Sequence, residues 1–279
     1  MQNSSDAIPV CVLITTKNEE RNIARCLDSA ASFSYVAVID SHSSDRTTAI
    51  AREKGAHIMS YKWDGKYPKK RQWCLDTLAL PYDWVLWLDA DEELTEAFVA
   101  KVRALFHKGE PNEYGFFVFG QYVWNGRELK YGMRNNKIAL MNRRKMVFPV
   151  VDDLDIAGMG EIEGHYQPVL RNGSLGRVGQ IRAPILHHAY EDKAKWDERH
   201  DRYARWEAEM IRGERYPPDP VLWRQMIKSV IRGSAVRPYL AFIYYYLVRG
   251  GVFDGMDGLS FALSRMGYLR LVRRYLVSS

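Results

Sequence analysis

Four carboxylates crowd the stretch WVLWLDADEEL (84–94): Asp89, Asp91, Glu92 and Glu93 lie within five positions. Like charges this close repel, so either water solvates them or a cation sits among them. Hard carboxylate oxygens at an Asp-x-Asp spacing suit Mg²⁺ or Mn²⁺, and Mg²⁺ needs one or two carboxylates beside substrate phosphates. A competing reading makes Asp91, Glu92 and Glu93 the opening of a helix over 92–106, where acids favour the positive dipole end. That reading leaves Asp89, still inside the strand pattern, without a reason. Two more polar clusters, TTKNEE (15–20) and DSHSSD (40–45), end apolar runs in the same way. Three such clusters imply one site built along one edge of a sheet.

Periodicity supplies the elements that must hold them. Val10–Ile14 is a buried-strand run, and Glu19 to Ala31 places Ile23, Ala24, Leu27 and Ala30 on one helical face. Val36–Ile39 predicts a second strand, and Thr47–Lys54 a helix stopped by Gly55. His57–Ser60 predicts a third strand, Lys70–Leu80 a helix, and Trp84–Leu88 a fourth strand. Strands alternating with helices predict an α/β fold, an open and mainly parallel sheet sandwiched by helices. Ligands in such sheets bind beyond the carboxyl ends of strands, where all three polar clusters fall. Beyond Tyr114 the runs GFFVFG, KIALM and RKMVF predict further strands with looser connections. A charged helix is expected over Lys193–Gly213, then apolar helical segments over 221–233, 236–249 and 256–276.

A chain of 279 residues can bury a sizeable core, and 47 % hydrophobic with 27 % charged residues is a globular composition. Cys11, Cys26 and Cys74 form no CxxC pair, which predicts reduced thiols and excludes a disulfide framework or zinc site. The start, MQNSSDAIPV, has neither the basic nor the apolar region of an export signal, so a cytoplasmic protein is expected. The net charge of +6 is uneven. Residues 221–279 hold nine Lys and Arg against Asp254 and Asp257, leaving the rest near neutral. The longest apolar run, YLAFIYYYLV (239–248), falls far short of the ~20 residues that cross a bilayer. Arg265, Arg270, Arg273 and Arg274 interleave with Leu263, Met266, Leu269, Leu271 and Leu276, as in a basic amphipathic helix lying in a membrane interface. A helix pair packed on the rest of the chain, or at a dimer interface, has the same pattern. No nucleic-acid module accompanies the charge, so nucleic acid is not an expected partner.

The blocks VLITTKNEERNIARCLDS, VAVIDSHSSDRTTAIA and WVLWLDADEEL resemble, in order and spacing, the signatures of family 2 glycosyltransferases, inverting enzymes of the GT-A fold. ILHHAY and the stretch YLVRGGVFDGMDGLSFALSRMGYLRLVRRYL resemble the bacterial lipopolysaccharide-core glucosyltransferase branch, where a GxxDGxxG turn joins two amphipathic helices. The resemblance implies a GT-A (Rossmann-like) catalytic domain over 1–215, with a nucleotide-sugar half over 1–110 and an acceptor half over 111–215. A basic amphipathic helical tail follows over 216–279. Thr15 and Glu19 are then implied to border base and ribose, and Asp40 to accept a hydrogen bond from uracil N3–H, with Ser41 and Asp45 holding that loop. Arg71 would help enclose the nucleotide. Asp89 would approach the ribose or a metal-bound water, and Asp91 would ligate the Mg²⁺ or Mn²⁺ bridging the diphosphate. The family usually has Gly where this chain has His42 and Arg46, so both are expected at positive φ without glycine. Each loop residue also has a plainer role, because Asp and Ser after strands often tie turns.

An inverting transfer needs a carboxylate to take the acceptor hydroxyl's proton as the oxygen attacks C1. Glu161 and Glu163, in GMGEIEGHYQP (158–168), are expected to alternate on an extended segment and face opposite ways. Glu163 fits the branch pattern better, Glu161 comes next, and Asp152 and Asp153 remain. His187 and His188, ending APILHH, are a third metal ligand or diphosphate contact, or else hydrogen-bonded structure. Trp63 and Tyr67 line a loop over the donor or pack beneath it. The expected activity is transfer from a UDP-sugar, UDP-glucose favoured, to a lipid-linked glycan such as lipopolysaccharide core or another cell-surface polysaccharide. The protein is expected to lie peripherally on the inner face of the cytoplasmic membrane, against anionic lipid. One rival is a nucleotidyltransferase, which calls for a Gly-rich phosphate loop where TTKNEE has no glycine. The other is a non-catalytic membrane-associated binding protein.

Overall fold

The apolar runs fold as strands because their β-branched and aromatic residues fit a pleated, buried surface. The computed structural model describes residues 7–157, 159–163, 166–171, 176–188, 193–216, 226 and 230–278. Its first elements are β1 (Ile8–Thr16), α1 (Ile23–Ser29), β2 (Phe33–Asp40), α2 (Thr47–Glu53), β3 (His57–Ser60), α3 (Lys70–Thr77), β4 (Trp84–Asp89), β5 (Glu92–Leu94) and α4 (Glu96–Phe106). There follow β6 (Gly115–Trp124), β7 (Arg127–Glu128), β8 (Asn135–Asn142), β9 (Met146–Val147), β10 (Val169–Leu170), β11 (Val178–His187) and α5 (Lys193–Arg212). The chain then runs through α6 (Arg237–Ile243), a π-helical turn (Tyr244–Val248), a 3₁₀ turn (Gly251–Asp254) and α7 (Gly255–Val277).

One mixed sheet has the order β3-β2-β1-β4-β8-β6-β11-β5, with β7 paired to β6. β3, β2, β1 and β4 are parallel, β8 runs antiparallel between β4 and β6, and β11 is parallel to β6. Only Ala90 and Asp91 separate β4 from β5, yet β5 pairs with β11 at the far end of that order. The sheet must therefore curl back on itself, gathering the carboxyl ends of β4, β6 and β11 around one place. Alternation along each strand sorts the core into two layers. Val10, Val12 and Ile14 of β1 pack with Ile23, Leu27, Phe98 and Val102 from α1 and α4. Cys11 and Leu13 face the other way, onto Cys74 and Leu75 of α3 and Trp87. This is the helix-sandwiched, mainly parallel sheet that the patterning predicts. The three cysteines are buried and free.

The helix expected over 92–106 starts four residues late. Glu92, Glu93 and Leu94 form β5 instead, opposite His187, Leu186 and Ile185. Thr95 caps α4, its Oγ1 accepting the Phe98 N–H at 3.1 Å. The acids therefore do not serve that helix dipole. The helix expected from Glu19 begins at Ile23. Of the two positions expected at positive φ, His42 has 56°, whereas Arg46 at −79° does not. The helix expected over 236–249 divides into α6 and the π-helical turn. The segment expected over 221–233 lies largely outside the described residues.

α7 coincides with the helix expected over 256–276, and it packs on the protein. It buries Tyr268, Leu269 and Val272 against Ala204 and Ala208 of α5, and Phe261 against Tyr122, Trp124 and Trp196. The turn GVFDGMDG has a physical reason for its residues. Asp254 accepts the backbone N–H groups of Lys130 and Tyr131, each at 2.9 Å. Gly255 has φ 63°, and a Cβ on Gly258 would stand 2.0 Å from the Gly251 carbonyl oxygen. Among the described residues no helix is long and apolar enough to cross a membrane.

Candidate active site

The loops after β1 and β2 lock each other. Asn18, at φ 58°, accepts the Ser44 N–H at 2.8 Å, and its own N–H donates to Ser43 Oγ at 2.8 Å. The Glu19 N–H donates to Thr47 Oγ1 at 2.8 Å and the Glu20 N–H to Asp45 at 3.1 Å. Asp45 also accepts the Thr47 N–H at 2.9 Å, so it ties this loop. Burial works to raise the Asp45 pKa, but hydrogen bonds from Thr47 and Glu20 prevail and lower it. The Glu19 carboxylate accepts Asn22 Nδ2 at 2.9 Å. Asp40 is buried, and its two oxygens accept the Ser43 N–H at 2.9 Å and hydroxyl at 2.5 Å. Beside it the hydroxyls of Thr16 and Ser41 are buried without a hydrogen-bond partner, a cost that a bound polar ligand would relieve.

Each acid of the 89–93 cluster has a protein cation against it. Asp89 receives Thr15 Oγ1 at 3.1 Å, Arg71 Nη2 at 2.9 Å and Lys137 Nζ at 2.9 Å. Lys137 reaches it from β8. The antiparallel register pairs Trp84 with Asn142 and Leu86 with Leu140, and carried on it sets Lys137 across from Asp89. Lys137 also lies 2.7 Å from the fully buried Glu92, whose Oε2 accepts the Asp89 N–H at 2.9 Å. Burial works to raise the Asp89 pKa, yet Lys137 and Arg71 outweigh it and hold the carboxyl far below the usual range. At Glu92 burial wins over Lys137 and raises the pKa. The Asp89 side chain keeps 36 % of its surface open, so a ligand can still reach it. Glu93 lies 2.8 Å from His188 Nε2 and 3.5 Å from Arg25 Nε.

Asp91 is the least committed of the four. Its Oδ2 is 3.4 Å from His187 Nε2 and 3.8 Å from Arg199 Nη1, looser than any contact of Asp89. Burial opposes its charge, and His187 outweighs burial to lower its pKa. His187 ends β11, stacks on Tyr122 with ring centres 5.1 Å apart, and leaves Nδ1 buried without a partner. Burial opposes charge on this ring too, but Asp91 prevails and raises its pKa. One loosely held carboxylate beside one imidazole fits a divalent ion that draws its other ligands from phosphate and water. Among the described residues no group of three or more His, Cys, Asp or Glu could hold a metal, so the chain offers a platform and not a closed cage.

Glu161 and Glu163 lie at the N-terminal end of α3, Glu161 on a turn closed by the Ile162 N–H to Met159 carbonyl bond and Glu163 just past it. The Glu161 carbonyl accepts the Lys70 N–H at 3.1 Å, and its carboxylate is 2.6 Å from Lys70 Nζ. Glu163 Oε1 accepts the Gln72 N–H at 3.0 Å. Both therefore contact α3, Glu161 through a partly open carboxylate and Glu163 through a buried one. Glu163 is buried, and burial works to lower the Arg71 pKa while the charges of Asp89 and then Glu163 prevail and raise it. Asp152 is exposed. The Asp153 side chain is 0 % exposed and held by Lys69 Nζ at 2.7 Å, Tyr67 at 2.7 Å and Tyr166 at 3.1 Å, closed to any acceptor hydroxyl. Tyr67 thus serves that buried knot, and Trp63 Nε1 anchors its own loop on the Lys66 carbonyl at 2.8 Å. Sequence reasoning misses Lys137 and Arg199. The signal for Lys137 is a lone charge opening the apolar run KIALM.

Residues 11–155 match the family described as Glycosyl transferase family 2. Over 113 residues the chain is 34 % identical to an uncharacterized glycosyltransferase of Rickettsia conorii, a stretch covering 40 % of this chain and 39 % of that one. Over 84 residues it is 37 % identical to Glycosyltransferase AglJ of Haloferax volcanii, covering 29 % of this chain and 27 % of that one. The matched stretch thus spans well under half the length of these relatives. Among solved structures it is similar to S. aureus TarS 1-349, at 13 % identity and a TM-score of 0.45, over 95 % of this chain and 90 % of that one. It is also similar to glucosyl-3-phosphoglycerate synthase from Mycobacterium tuberculosis in complex with Mn²⁺, UDP and glucosyl-3-phosphoglycerate. That likeness has 16 % identity and a TM-score of 0.39, over 72 % of this chain and 80 % of that one.

Proposed function

The chain belongs to glycosyl transferase family 2, and on that premise we propose that it passes a sugar, with inversion, from a UDP-sugar to a lipid-linked glycan. UDP-glucose is the favoured donor. Lipopolysaccharide core or another cell-surface polysaccharide is the acceptor class favoured by the resemblance of the 246–276 stretch. The observation that carries the reading is convergence. Thr15, Asp40, Arg71, Asp89 and His187 come from β1, β2, α3, β4 and β11 to one edge of the sheet, with Asp91 among them. Family membership removes the ground for a nucleotidyltransferase or a non-catalytic binding protein.

In this reading Asp40 accepts the uracil N3–H, and the unpartnered hydroxyls of Thr16 and Ser41 meet polar groups of the nucleoside. Thr15 and Asp89 face the ribose, with Glu19 bracing the loop beside it. Arg71 and Lys137 direct positive charge at the diphosphate as it leaves. Asp91 and His187 would hold Mg²⁺ or Mn²⁺, which when bound supplies further positive charge to that leaving group. Glu163 takes the acceptor hydroxyl's proton as its oxygen bonds C1 and the bond from C1 to the diphosphate breaks. Glu161 stands second, since Lys70 holds its carboxylate at 2.6 Å. Incubation with a panel of UDP-sugars and either ion tests the reading. Slow hydrolysis, fastest for UDP-glucose, is the expected result. Pyrophosphate release from a nucleoside triphosphate, or no UDP binding by calorimetry with either ion, would overturn it.

A further inference from the structure

Exposed apolar side chains gather in one short stretch. Tyr239, Leu240, Ile243, Tyr244, Leu247 and Val248 all stand open to solvent, and their spacing of three and four residues sets them on one face. Phe253 and Met256, 75 % and 77 % exposed, follow on the 3₁₀ turn and at the start of α7. So many exposed apolar side chains within eighteen residues mark a place that something covers.

The surrounding charges choose the occupant. Arg249 and Arg270 are exposed beside the face, and the Arg270 guanidinium lies 5.1 Å from the Tyr239 ring centre. Both acids of residues 221–279 are bound inward. Asp254 holds the Lys130 and Tyr131 N–H groups, and Asp257 accepts Asn125 Nδ2 at 2.9 Å. A second copy of the chain, docked about a two-fold axis, would set these basic rims against each other. An anionic lipid surface matches on both counts: headgroups receive the guanidiniums, and the acyl boundary takes aliphatic and aromatic side chains. α7, the helix whose sequence suggests an interfacial role, lends only Met256 and Arg270 to this surface, while its middle packs on the protein. Its Tyr268, Leu269 and Val272 are buried, and Arg273 donates to the Gly233 carbonyl at 2.6 Å.

We propose that α6, the π-helical turn and the 3₁₀ turn form a face that seats the protein on an anionic lipid surface, with Arg249 and Arg270 at headgroup level. This deepens the transferase reading, and rests on it for purpose, by naming the surface where a lipid-borne acceptor is met. α7, which follows the 3₁₀ turn, reaches the site through rings. Phe261 of α7 packs on Tyr122 at 4.8 Å, and Tyr122 stacks on His187.

Co-sedimentation of the full chain with phosphatidylglycerol–phosphatidylcholine vesicles, against phosphatidylcholine alone, reads the seating. Binding to the anionic vesicles is expected, and it should weaken as salt rises. Leu247→Glu with Phe253→Glu should lower the bound fraction about tenfold or more, because charge is costly at acyl depth. Val169→Glu, at an exposed apolar position on β10, should leave it unchanged. Phe253→Trp gives a reading that does not depend on how the charged variant folds. Its fluorescence should be quenched by brominated acyl chains beyond the wild-type level. UDP-sugar hydrolysis in solution should survive all these changes. Vesicle binding in a chain that never hydrolyses a UDP-sugar would support the seating face and count against the transferase reading. A wild-type chain that ignores anionic vesicles, or a dimer that Leu247→Glu with Phe253→Glu dissolves, overturns the proposal.

Discussion

Lys137 brings one charge to a place where Asp89 and Glu92 both need it. Lys137→Met should cost about 3–5 kcal/mol in urea unfolding, the scale for breaking a buried pair by removing one partner. Adding Glu92→Gln should restore part of the loss, and no restoration would show that the two are not coupled. Asp91 stands apart because its contacts to His187 and Arg199 are long. Asp91→Asn should abolish UDP-sugar turnover and metal-dependent UDP binding while the unfolding midpoint stays near wild type. Glu93→Ala should leave turnover nearly intact and cost within about 1 kcal/mol, since its pairs with His188 and Arg25 are partly exposed. Equal loss of turnover from both substitutions would count against this division. For the proton, Glu163→Gln should slow turnover by about 10²-fold or more, with UDP affinity kept. Full activity there, beside a dead Glu161→Gln, would move the base two residues upstream.

Elements ending in polar clusters are legible in the sequence, because a β-branched run closed by Asp, Ser or Thr can hardly be anything else. β1, β2 and β4 deliver Thr15, Asp40 and Asp89 where that reading puts them. β5 is not legible. Glu92-Glu93-Leu94 has the local composition of a helix start, and it becomes a strand because His187, Leu186 and Ile185 lie across from it. Lys137 escapes notice for the same reason: its meaning comes from a partner 48 residues away. The same holds for Glu161 and Glu163, whose orientation is set by the free N–H groups of α3. α5 carries a titration that a pH series can read. His200 Nδ1 faces the Trp196 carbonyl at 2.8 Å, and burial lowers the ring's pKa to about 4 from 6.5. Between those values the unfolded chain binds the proton that the folded chain refuses. Stability is therefore complete above pH 6.5 and falls as pH drops towards 4. The slope from this ring is at most about 1.4 kcal/mol per pH unit. His200→Gln should flatten the dependence in that window, and an unchanged curve would remove His200 as its source.

Across the whole molecule, the expected boundary after residue 215 is crossed by shared core. Tyr268, Leu269 and Val272 of α7 close over α5, and Phe261 completes the cluster that backs Tyr122. The apolar face on α6 and the candidate site at the sheet edge are thereby joined through packed side chains. Charge balance is also settled at this scale: Arg71, Lys137, His187, Arg199 and Arg25 arrive from five stretches of chain to neutralise one acidic cluster. Stripping divalent ions with a chelator should therefore leave the unfolding midpoint in place while UDP-sugar turnover stops. A large drop in the midpoint would show that an ion is needed to hold the acids together. The self-neutralised cluster has a consequence for supply. On the proposed reading, a cell short of Mg²⁺ or Mn²⁺ would keep a standing stock of finished but idle enzyme, which restarts in the time an ion takes to diffuse in and not in the time a new chain takes to be made.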